Sequence, residues 1–176
     1  TPILEINVSD QGRFGSTHLD AKAEEVPALG YVVENRDFGQ ALNRELTEQE
    51  GIDLISPTTV EAIQPISSGM RLTLRQDGNS EFEIDADLVV LADGGRSPIC
   101  SQLGIGFQRE SYDQMAMISN IAFENPHQNV AYERFTQRGP MAVLPLASSE
   151  GLNRGALIWT AAVEEAKQLS ALSDSE

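Results

Sequence analysis

The stretch LVVLADGGRSPICSQLG over residues 88–104 contains residue types that suit nucleotide binding. An apolar run leads into a turn with Asp93 and Gly94, and Ser97 and Pro98 then favour a short helix whose free N–H groups face the turn. A carboxylate at the end of a strand can accept hydrogen bonds from sugar hydroxyls, and a glycine lets a ligand approach the backbone closely. A plain chain reversal before an N-capped helix fits the same residues, so spacing alone leaves both interpretations open.

The chain offers little material for other kinds of reactive site. Its one cysteine, Cys100, and its two histidines, His18 and His127, are poor material for a structural zinc site. It contains no D-x-D-x-D-G calcium loop and no Ser/His/Asp or Cys/His signature of a nucleophilic enzyme. We therefore predict no metal site, and the single cysteine favours a reducing compartment.

The charge of the chain excludes several classes of partner. Its 176 residues include 12 basic and 27 acidic side chains, which gives a formal net charge of −15. Nucleic acid requires a basic protein face, and an anionic membrane surface does not attract so acidic a protein. No apolar run approaches the roughly 18 residues of a membrane span. We expect a cytoplasmic protein without a nucleic-acid partner, with the periphery of the inner membrane as the alternative location.

Hydrophobic periodicity predicts the elements that would position these residues. The predicted helices are residues 35–50, 98–103 and 163–172, and the predicted strands are residues 3–8, 16–19, 58–63, 70–74, 81–84, 87–92, 115–123, 130–135, 141–146 and 156–161. Asn35 or Asp37 can cap the first helix, and Gly51 can end it. The unbroken Leu-Val-Val-Leu of residues 88–91 predicts a strand buried on both faces, as in a parallel sheet.

The order of these elements predicts a mixed α/β (α+β) fold with two domains. Residues 31–108 combine a helix, strands and the turn at Asp93, which is typical of an α/β nucleotide-binding domain. Residues 1–30 and 109–176 consist mainly of strands at spacings suited to an antiparallel sheet. A chain that leaves one domain, visits another and returns would give this pattern, so we expect parts of both domains.

The Asp-Gly stretch resembles a motif of a known family. LVVLADGGRS is similar to the Asp-Gly motif of the aromatic-ring flavoprotein monooxygenases, a group that includes para-hydroxybenzoate hydroxylase. The match covers Asp93, Gly94 and Ser97. It departs at Cys100, where the family often has arginine, so a basic contribution from that helix is missing.

Further motifs narrow the resemblance to one group of these monooxygenases. AYERFT at residues 131–136 and GPMAVLPL at residues 139–146 are similar to the A-x-E-R-F-T and G-P-x-A-x-L-P-L signature of the ubiquinone-biosynthesis hydroxylases. The opening TPILEINVSDQGRFG and the stretch GYVVENRDFGQAL resemble the same hydroxylases, and the most similar members act on an octaprenylated methoxyphenol. This resemblance implies FAD as cofactor, NAD(P)H as cosubstrate, O₂ as oxidant and a polyprenylated phenol as substrate. It also implies association with other ubiquinone-biosynthesis proteins or with the membrane periphery.

The resemblance implies roles for individual residues. The implied cofactor-binding set is Asp93, Gly94, Ser97, Asn35, Arg36 and Val60. The first three would lie near the FAD pyrophosphate, Asn35 or Arg36 would touch the flavin side, and Val60 would lie against the adenine. The structural alternatives are an N-cap for Asn35, a solvated Arg36 and a core position for Val60.

Only one catalytic candidate follows from the motifs, and the catalytic residues are otherwise unknown. Arg134 of the ERFT stretch would face the flavin from the substrate sheet, or pair with Glu133 or an acid elsewhere. Since the cofactor carries the chemistry in this family, no nucleophilic side chain is required.

Two further cofactor motifs of the family are missing from this sequence. It has no G-x-G-x-x-G loop for the ADP moiety and no later Gly-Asp motif. We therefore expect the central part of a hydroxylase of about twice this length or more, inactive by itself. The alternatives are another FAD-dependent oxidoreductase, such as a dehydrogenase or halogenase, and a non-catalytic module of a larger complex.

Overall fold

A computed structural model describes residues 1–76, 80–94 and 98–173. In chain order its strands are β1 (Pro2–Ile3), β2 (Glu5–Asp10), β3 (Ser16–Asp20), β4 (Gly30–Tyr31), β5 (Thr58–Ile66), β6 (Gly69–Gln76), β7 (Ser80–Ala86), β8 (Gln114–Phe123), β9 (Val130–Thr136), β10 (Gly139–Ser149) and β11 (Leu152–Ala162). Its helices are α1 (Asn35–Glu48), α2 (Ile99–Gln102) and α3 (Val163–Ser170). This mixture confirms the predicted mixed α/β class. None of the described helices is both long and apolar enough to cross a membrane.

The chain divides into two compact units. Unit 1 contains Thr1–Leu42 and Ser111–Glu176, and unit 2 contains Asn43–Glu110. The first boundary falls within α1. The assignment of residues 31–108 to a cofactor domain and of the remaining residues to a substrate domain stays a prediction.

Unit 1 is built on a six-stranded sheet in the order β3-β2-β9-β10-β11-β8. Neighbouring strands pair antiparallel except β2 and β9, which run parallel. The predicted hairpin of residues 3–8 and 16–19 forms as β2 and β3, and the four later predicted strands form as β8 to β11. Their alternating sequences are correctly predicted because successive side chains of a strand point to opposite faces.

Small and compact residues fill the core of unit 1. The Pro145 side chain in β10 is fully buried, and its neighbour Leu146 is only 3% exposed. Ala161 in β11 and Ala166 in α3 have no exposed surface, and α3 packs against β8 and β11. Because alanine has a short side chain, the helix can lie close to the sheet without leaving a cavity.

Unit 2 contains the antiparallel sheet β5-β6-β7. Its apolar face carries Ile63 and Leu74, and α2 adds the buried residues Ile99 and Cys100 beside β5. The position at which the resembling family often has arginine is therefore a core position in this chain. A buried arginine there would need a charged or hydrogen-bonding partner, whereas a thiol packs as a small apolar group.

The other face of the unit 2 sheet is charged. Arg71 donates two hydrogen bonds to the Asp85 carboxylate, at 2.7 and 2.8 Å, and lies 3.5 Å from Glu83. Arg75 pairs with Glu61 on the neighbouring strand. The sheet therefore has one packed face and one polar face, as the alternating strands predict.

The predicted strand over residues 87–92 is wrong. These residues form no regular structure, and Leu88 and Val90 are 79% and 77% exposed. The sheet of unit 2 ends at β7, and no strand of the described residues pairs with this run. A strand needs a neighbour for its backbone N–H and C=O groups, which an apolar composition does not supply. The parallel layer expected for unit 2 is thus absent from the described residues.

Candidate functional site

In unit 2, the side chain of Gln102 connects α2 to β5. Its amide nitrogen donates to the backbone oxygen of Glu61 at 2.9 Å, and its amide oxygen accepts from the backbone N–H of Ile63 at 3.2 Å. The register with β6 shifts at Glu61, which marks a β-bulge with one residue left out of the ladder. Gln102 therefore bonds to backbone groups of β5 at the bulge and two residues after it.

The predicted adenine contact, Val60, immediately precedes this bulge. Val60 pairs with Leu74 and is half-buried on the apolar face of the unit 2 sheet. Both of its interpretations, a core residue and the wall of an adenine site, are compatible with a half-buried apolar side chain.

The Asp-Gly turn lies in the same unit, ahead of α2. Asp93 is exposed, and Gly94 has a φ of +78° with no atom within 4 Å of a Cβ placed on it. Glycine adopts this left-handed conformation without strain, and the open surroundings leave room for a ligand against the backbone. Ser97 lies outside the described residues. Pro98, predicted as the first helical residue, takes the N-cap position of α2 instead.

The other predicted cofactor contacts lie in unit 1, in the first turn of α1. Asn35 and Arg36 are both exposed. The carbonyl oxygen of Glu34 accepts the first helical hydrogen bonds, from the backbone N–H groups of Asp37 and Phe38. Glu34 therefore occupies the N-cap position, and the predicted capping by Asn35 or Asp37 is wrong.

Glu34 belongs to a cluster that the sequence motifs did not indicate. Arg154 in β11 donates to both carboxylate oxygens of Glu34, at 2.8 and 3.1 Å, and Asn120 in β8 adds a third hydrogen bond at 3.3 Å. The hydrogen bonds from Arg154 hold the pKa of Glu34 below its ordinary value, against the opposing effect of partial burial. The same pairing raises the pKa of Arg154. Strand alternation could indicate the face of Arg154, but a partner 120 residues away leaves no signal in one sequence.

The cluster borders a polar cavity of about 480 Å³. Its other walls include Arg36, Asp37 and residues 147–150 at the end of β10. Two arginine side chains, those of Arg36 and Arg154, therefore line one cavity together with the carboxylates of Glu34, Asp37 and Glu150. Such a mixed lining suits a ligand with both anionic and neutral polar groups.

The catalytic candidate Arg134 lies in β9 of unit 1. Its guanidinium donates to the Ser9 hydroxyl at 3.3 Å on the neighbouring strand. The register places Arg134 in one row with Met141 and Trp159, so the cation stands on a largely apolar strip of the sheet. Glu133 points to the opposite face because it is the adjacent strand residue. The alternative that Arg134 pairs with Glu133 is therefore wrong.

A larger cavity of about 700 Å³ lies at one end of the same sheet. Phe123, Tyr132 and Val143 contribute apolar walls, and His127 lines its rim. The His127 Nε2 atom is 2.8 Å from the backbone oxygen of Leu146, and its Nδ1 accepts the backbone N–H of Asn129 at 2.9 Å. Both ring nitrogens are thus engaged by backbone, which makes this histidine a structural residue rather than an acid or base.

The chemistry of the predicted contacts fits FAD. The amide of Asn35 and the guanidinium of Arg36 supply donors for phosphate or carbonyl oxygens. The carboxylate of Asp93 supplies an acceptor for hydroxyls, Gly94 leaves the backbone accessible, and Val60 supplies an apolar surface for a ring. Among the described residues, His, Cys, Asp and Glu side chains form no cluster that could hold a metal ion.

Comparison with known proteins decides the family. The model of the FAD binding domain family matches residues 6–175. The chain belongs to the FAD binding domain family. The expected flavoprotein family is thereby confirmed, with FAD as its cofactor.

Two curated relatives of this FAD binding domain support the finer resemblance. Ubiquinone hydroxylase UbiL of Rhodospirillum rubrum is 36% identical over 159 residues, which cover 90% of this chain and 35% of that protein. The 3-demethoxyubiquinol 3-hydroxylase of Escherichia coli is 31% identical over 157 residues, covering 86% of this chain and 37% of that protein. These relatives confirm the resemblance to ubiquinone-biosynthesis hydroxylases that the motifs indicated. This chain spans little more than a third of their length.

A solved structure shows the same fold. The myxobacterial chondrochloren halogenase CndH, an FAD-dependent halogenase, matches with a TM-score of 0.73 at 16% identity, over 99% of this chain and 40% of that chain. At this identity the likeness concerns the fold alone. The mixed sheets with few helices described above are thus a known arrangement among FAD-dependent proteins.

Proposed function

We propose that this chain is part of an FAD-dependent monooxygenase that hydroxylates a polyprenylated phenol in ubiquinone biosynthesis, with NAD(P)H and O₂ as cosubstrates. The observation that carries the proposal is the 36% identity to a ubiquinone hydroxylase across 90% of this chain, within a shared FAD binding domain family. Bound FAD would supply the redox chemistry, in which two electrons from NAD(P)H allow one oxygen atom of O₂ to enter the ring while the other leaves as water.

Each unit contributes some of the proposed cofactor contacts. In unit 2, Asp93 would accept hydrogen bonds from cofactor hydroxyls, the open backbone at Gly94 would accommodate the pyrophosphate, and Val60 would supply an apolar surface for the adenine. Ser97 belongs to the same set by its place in the Asp-Gly motif. In unit 1, the first turn of α1 presents Asn35 or Arg36 to the flavin side.

The substrate would bind against the sheet of unit 1. Arg134 stands on an apolar row with Met141 and Trp159, so its cation would attract a phenolate oxygen while the neighbours exclude water. Loss of a proton makes a phenol more electron-rich, which favours attack by an electrophilic oxygen. Partners are the phenol itself and, as a further proposal, other ubiquinone-biosynthesis proteins or the membrane periphery.

The test uses the full-length protein. We expect NAD(P)H oxidation that depends on FAD and on an added prenylated phenol, and a product that contains one ¹⁸O atom when the reaction runs under ¹⁸O₂. A protein that shows no FAD-dependent NAD(P)H oxidation would contradict the proposal. NAD(P)H or substrate oxidation without ¹⁸O in the product would instead indicate a dehydrogenase, and chloride-dependent halogenation would indicate a halogenase.

A further inference from the structure

Glu34, Arg36 and Arg154 line the same cavity of unit 1. Glu34 precedes Arg36 by two residues, and the positive charges of both Arg154 and Arg36 lower its pKa. Both Glu34 oxygens accept hydrogen bonds from Arg154, and Asn120 takes a further site on one of them. Among the described residues, Arg36 makes no side-chain hydrogen bond or ion pair. The Glu34 carboxylate is therefore bonded to side chains of β11 and β8, and not to Arg36, which lines the same cavity.

Because Glu34 pairs with Arg154, the Arg36 guanidinium can bind a ligand. The side chains of Glu34 and Arg154 are 30% and 21% exposed, so the pair is better shielded from water than the other ion pairs of unit 1. A carboxylate released from Arg154 would be attracted to the nearest remaining cation, which is Arg36. An arginine that is neutralised by an adjacent glutamate has less attraction for a phosphate or a carbonyl group.

We propose that Arg154 is a positioning residue for the cofactor: by engaging both oxygens of Glu34, it keeps the Arg36 guanidinium available to FAD. The inference rests on the proposed function, because it takes Arg36 as a cofactor contact. It assigns to a residue of β11, outside every cofactor motif of the sequence, control over the charge of the first turn of α1.

The experiment is a titration of the full-length apoprotein with FAD. Arg154→Gln should raise the dissociation constant of FAD about ten-fold, since a bonded pair is lost and Arg36 is sequestered. Arg138→Gln is the matched control, because Arg138 forms another ion pair of unit 1, with Glu165 at 3.2 Å, away from α1.

A second substitution separates positioning from mere structural support. In the double variant Glu34→Gln/Arg154→Gln the competing carboxylate is gone, so FAD affinity should recover by several fold over Arg154→Gln alone. A purely structural role predicts the opposite, because the double variant lacks both partners of the pair. Arg154→Lys should fall between Arg154→Gln and wild type.

The outcomes are distinguishable. If wild type binds FAD but Arg154→Gln binds it equally well, or if the double variant binds FAD no better than Arg154→Gln, the inference is wrong and the proposed function stands. If wild type itself binds no FAD, the proposed function fails. If Arg154→Gln does not fold, Asn120→Ala decides: it removes one of the bonds to Glu34, so FAD affinity should fall about two-fold, and unchanged affinity overturns the inference.

Discussion

Each unit holds one end of a helix beside a sheet, but the two units do so with different chemistry. In unit 1 the start of α1 is tied by a charged side-chain cluster in which Glu34 and Arg154 are 120 residues apart. In unit 2 the end of α2 is tied by the neutral side chain of Gln102 to backbone groups of β5. A charged tie responds to pH and to nearby ions, whereas an amide bonded to backbone does not. The difference predicts that pH affects the side-chain bonds at α1 and leaves those at α2 unchanged.

Both units also contain a hairpin in which only glycine fits. A Cβ on Gly139 would collide with the backbone oxygen of Thr160, and one on Gly69 with that of Ala86; both residues have positive φ, +143° and +150°. We predict that Gly139→Ala and Gly69→Ala each cost about 3 kcal/mol of folding stability, the largest effects considered. Hydrogen exchange should show the loss in β9–β11 for the first variant and in β5–β7 for the second.

The control for this pair is a glycine without a close neighbour. Gly39 in α1 has no atom within 4 Å of an added Cβ. Gly39→Ala should leave stability unchanged or raise it by up to about 1 kcal/mol, as alanine is the better helix former. If either hairpin variant loses protection throughout both units, the two units do not fold separately and the comparison fails.

Truncation of a buried side chain in the core of unit 2 should give the next largest loss of folding stability. Leu74 is 7% exposed, whereas Leu88 in the irregular stretch is 79% exposed. Leu74→Ala should lower the free energy of unfolding by about 2–3 kcal/mol, because it removes buried methyl groups and leaves a cavity. Leu88→Ala should change it by less than about 0.5 kcal/mol. Urea denaturation of the 176-residue chain measures both; equal losses would show that residues 87–92 are buried after all.

Removal of the Gln102 side chain, which links α2 to β5 in unit 2, should have a smaller effect on stability. Gln102→Ala removes two hydrogen bonds to backbone, at 2.9 and 3.2 Å, from a partly exposed site. We expect a loss of about 1 kcal/mol, seen as a lower urea midpoint with an unchanged slope. Gln108→Ala serves as the control, since its only side-chain bond among the described residues is a 3.4 Å contact with Glu110. Equal effects of the two substitutions would contradict a stabilising role of Gln102 between α2 and β5.

The smallest effect concerns pH. The pKa of Glu34 in unit 1 and that of Asp85 in unit 2 are both lowered by hydrogen bonds from an arginine, Arg154 and Arg71 respectively. A lowered carboxyl pKa contributes stability that is complete above the ordinary value of about 4, and that is lost as pH falls through the lower folded-state value. Carboxyl titration by NMR should show each pKa rising toward its ordinary value in Arg154→Gln and Arg71→Gln. An unchanged pKa in either variant would contradict the assigned cause.

Local patterns predicted most of the elements but not their long-range partners. The alternation in β8 to β11 and the periodicity of α1 are properties of adjacent residues, so one sequence contains them. The strand expected at residues 87–92 was inferred from apolar composition, but strand formation depends on a neighbour that composition does not specify. The capping of α1 was assigned by residue preference to Asn35 or Asp37, whereas Glu34, which also makes tertiary hydrogen bonds, takes the N-cap position.

The residues of the candidate site also differ in how well the sequence predicts them. Asp93, Gly94 and Arg134 stand in contiguous motifs, and the family match over residues 6–175 confirms the kind of protein that these motifs indicate. Asn120 and Arg154 belong to no motif. Glu34 lies in the GYVVENRDFGQAL stretch, but that stretch does not indicate its partners, because the contacts join three distant segments. A single sequence therefore indicates candidate cofactor contacts within motifs more readily than it indicates long-range contacts such as those of Glu34.

The central claim is that this chain forms part of an FAD site, and the flavin content of the purified full-length protein tests it most directly. Denaturation should release FAD in a stoichiometric amount, and the apoprotein should take it up again, whereas Asp93→Ala should purify with much less flavin. The 176-residue chain alone, which has no G-x-G-x-x-G loop, should bind FAD only weakly. A full-length protein that contains no flavin and takes up none on addition of FAD would contradict the account.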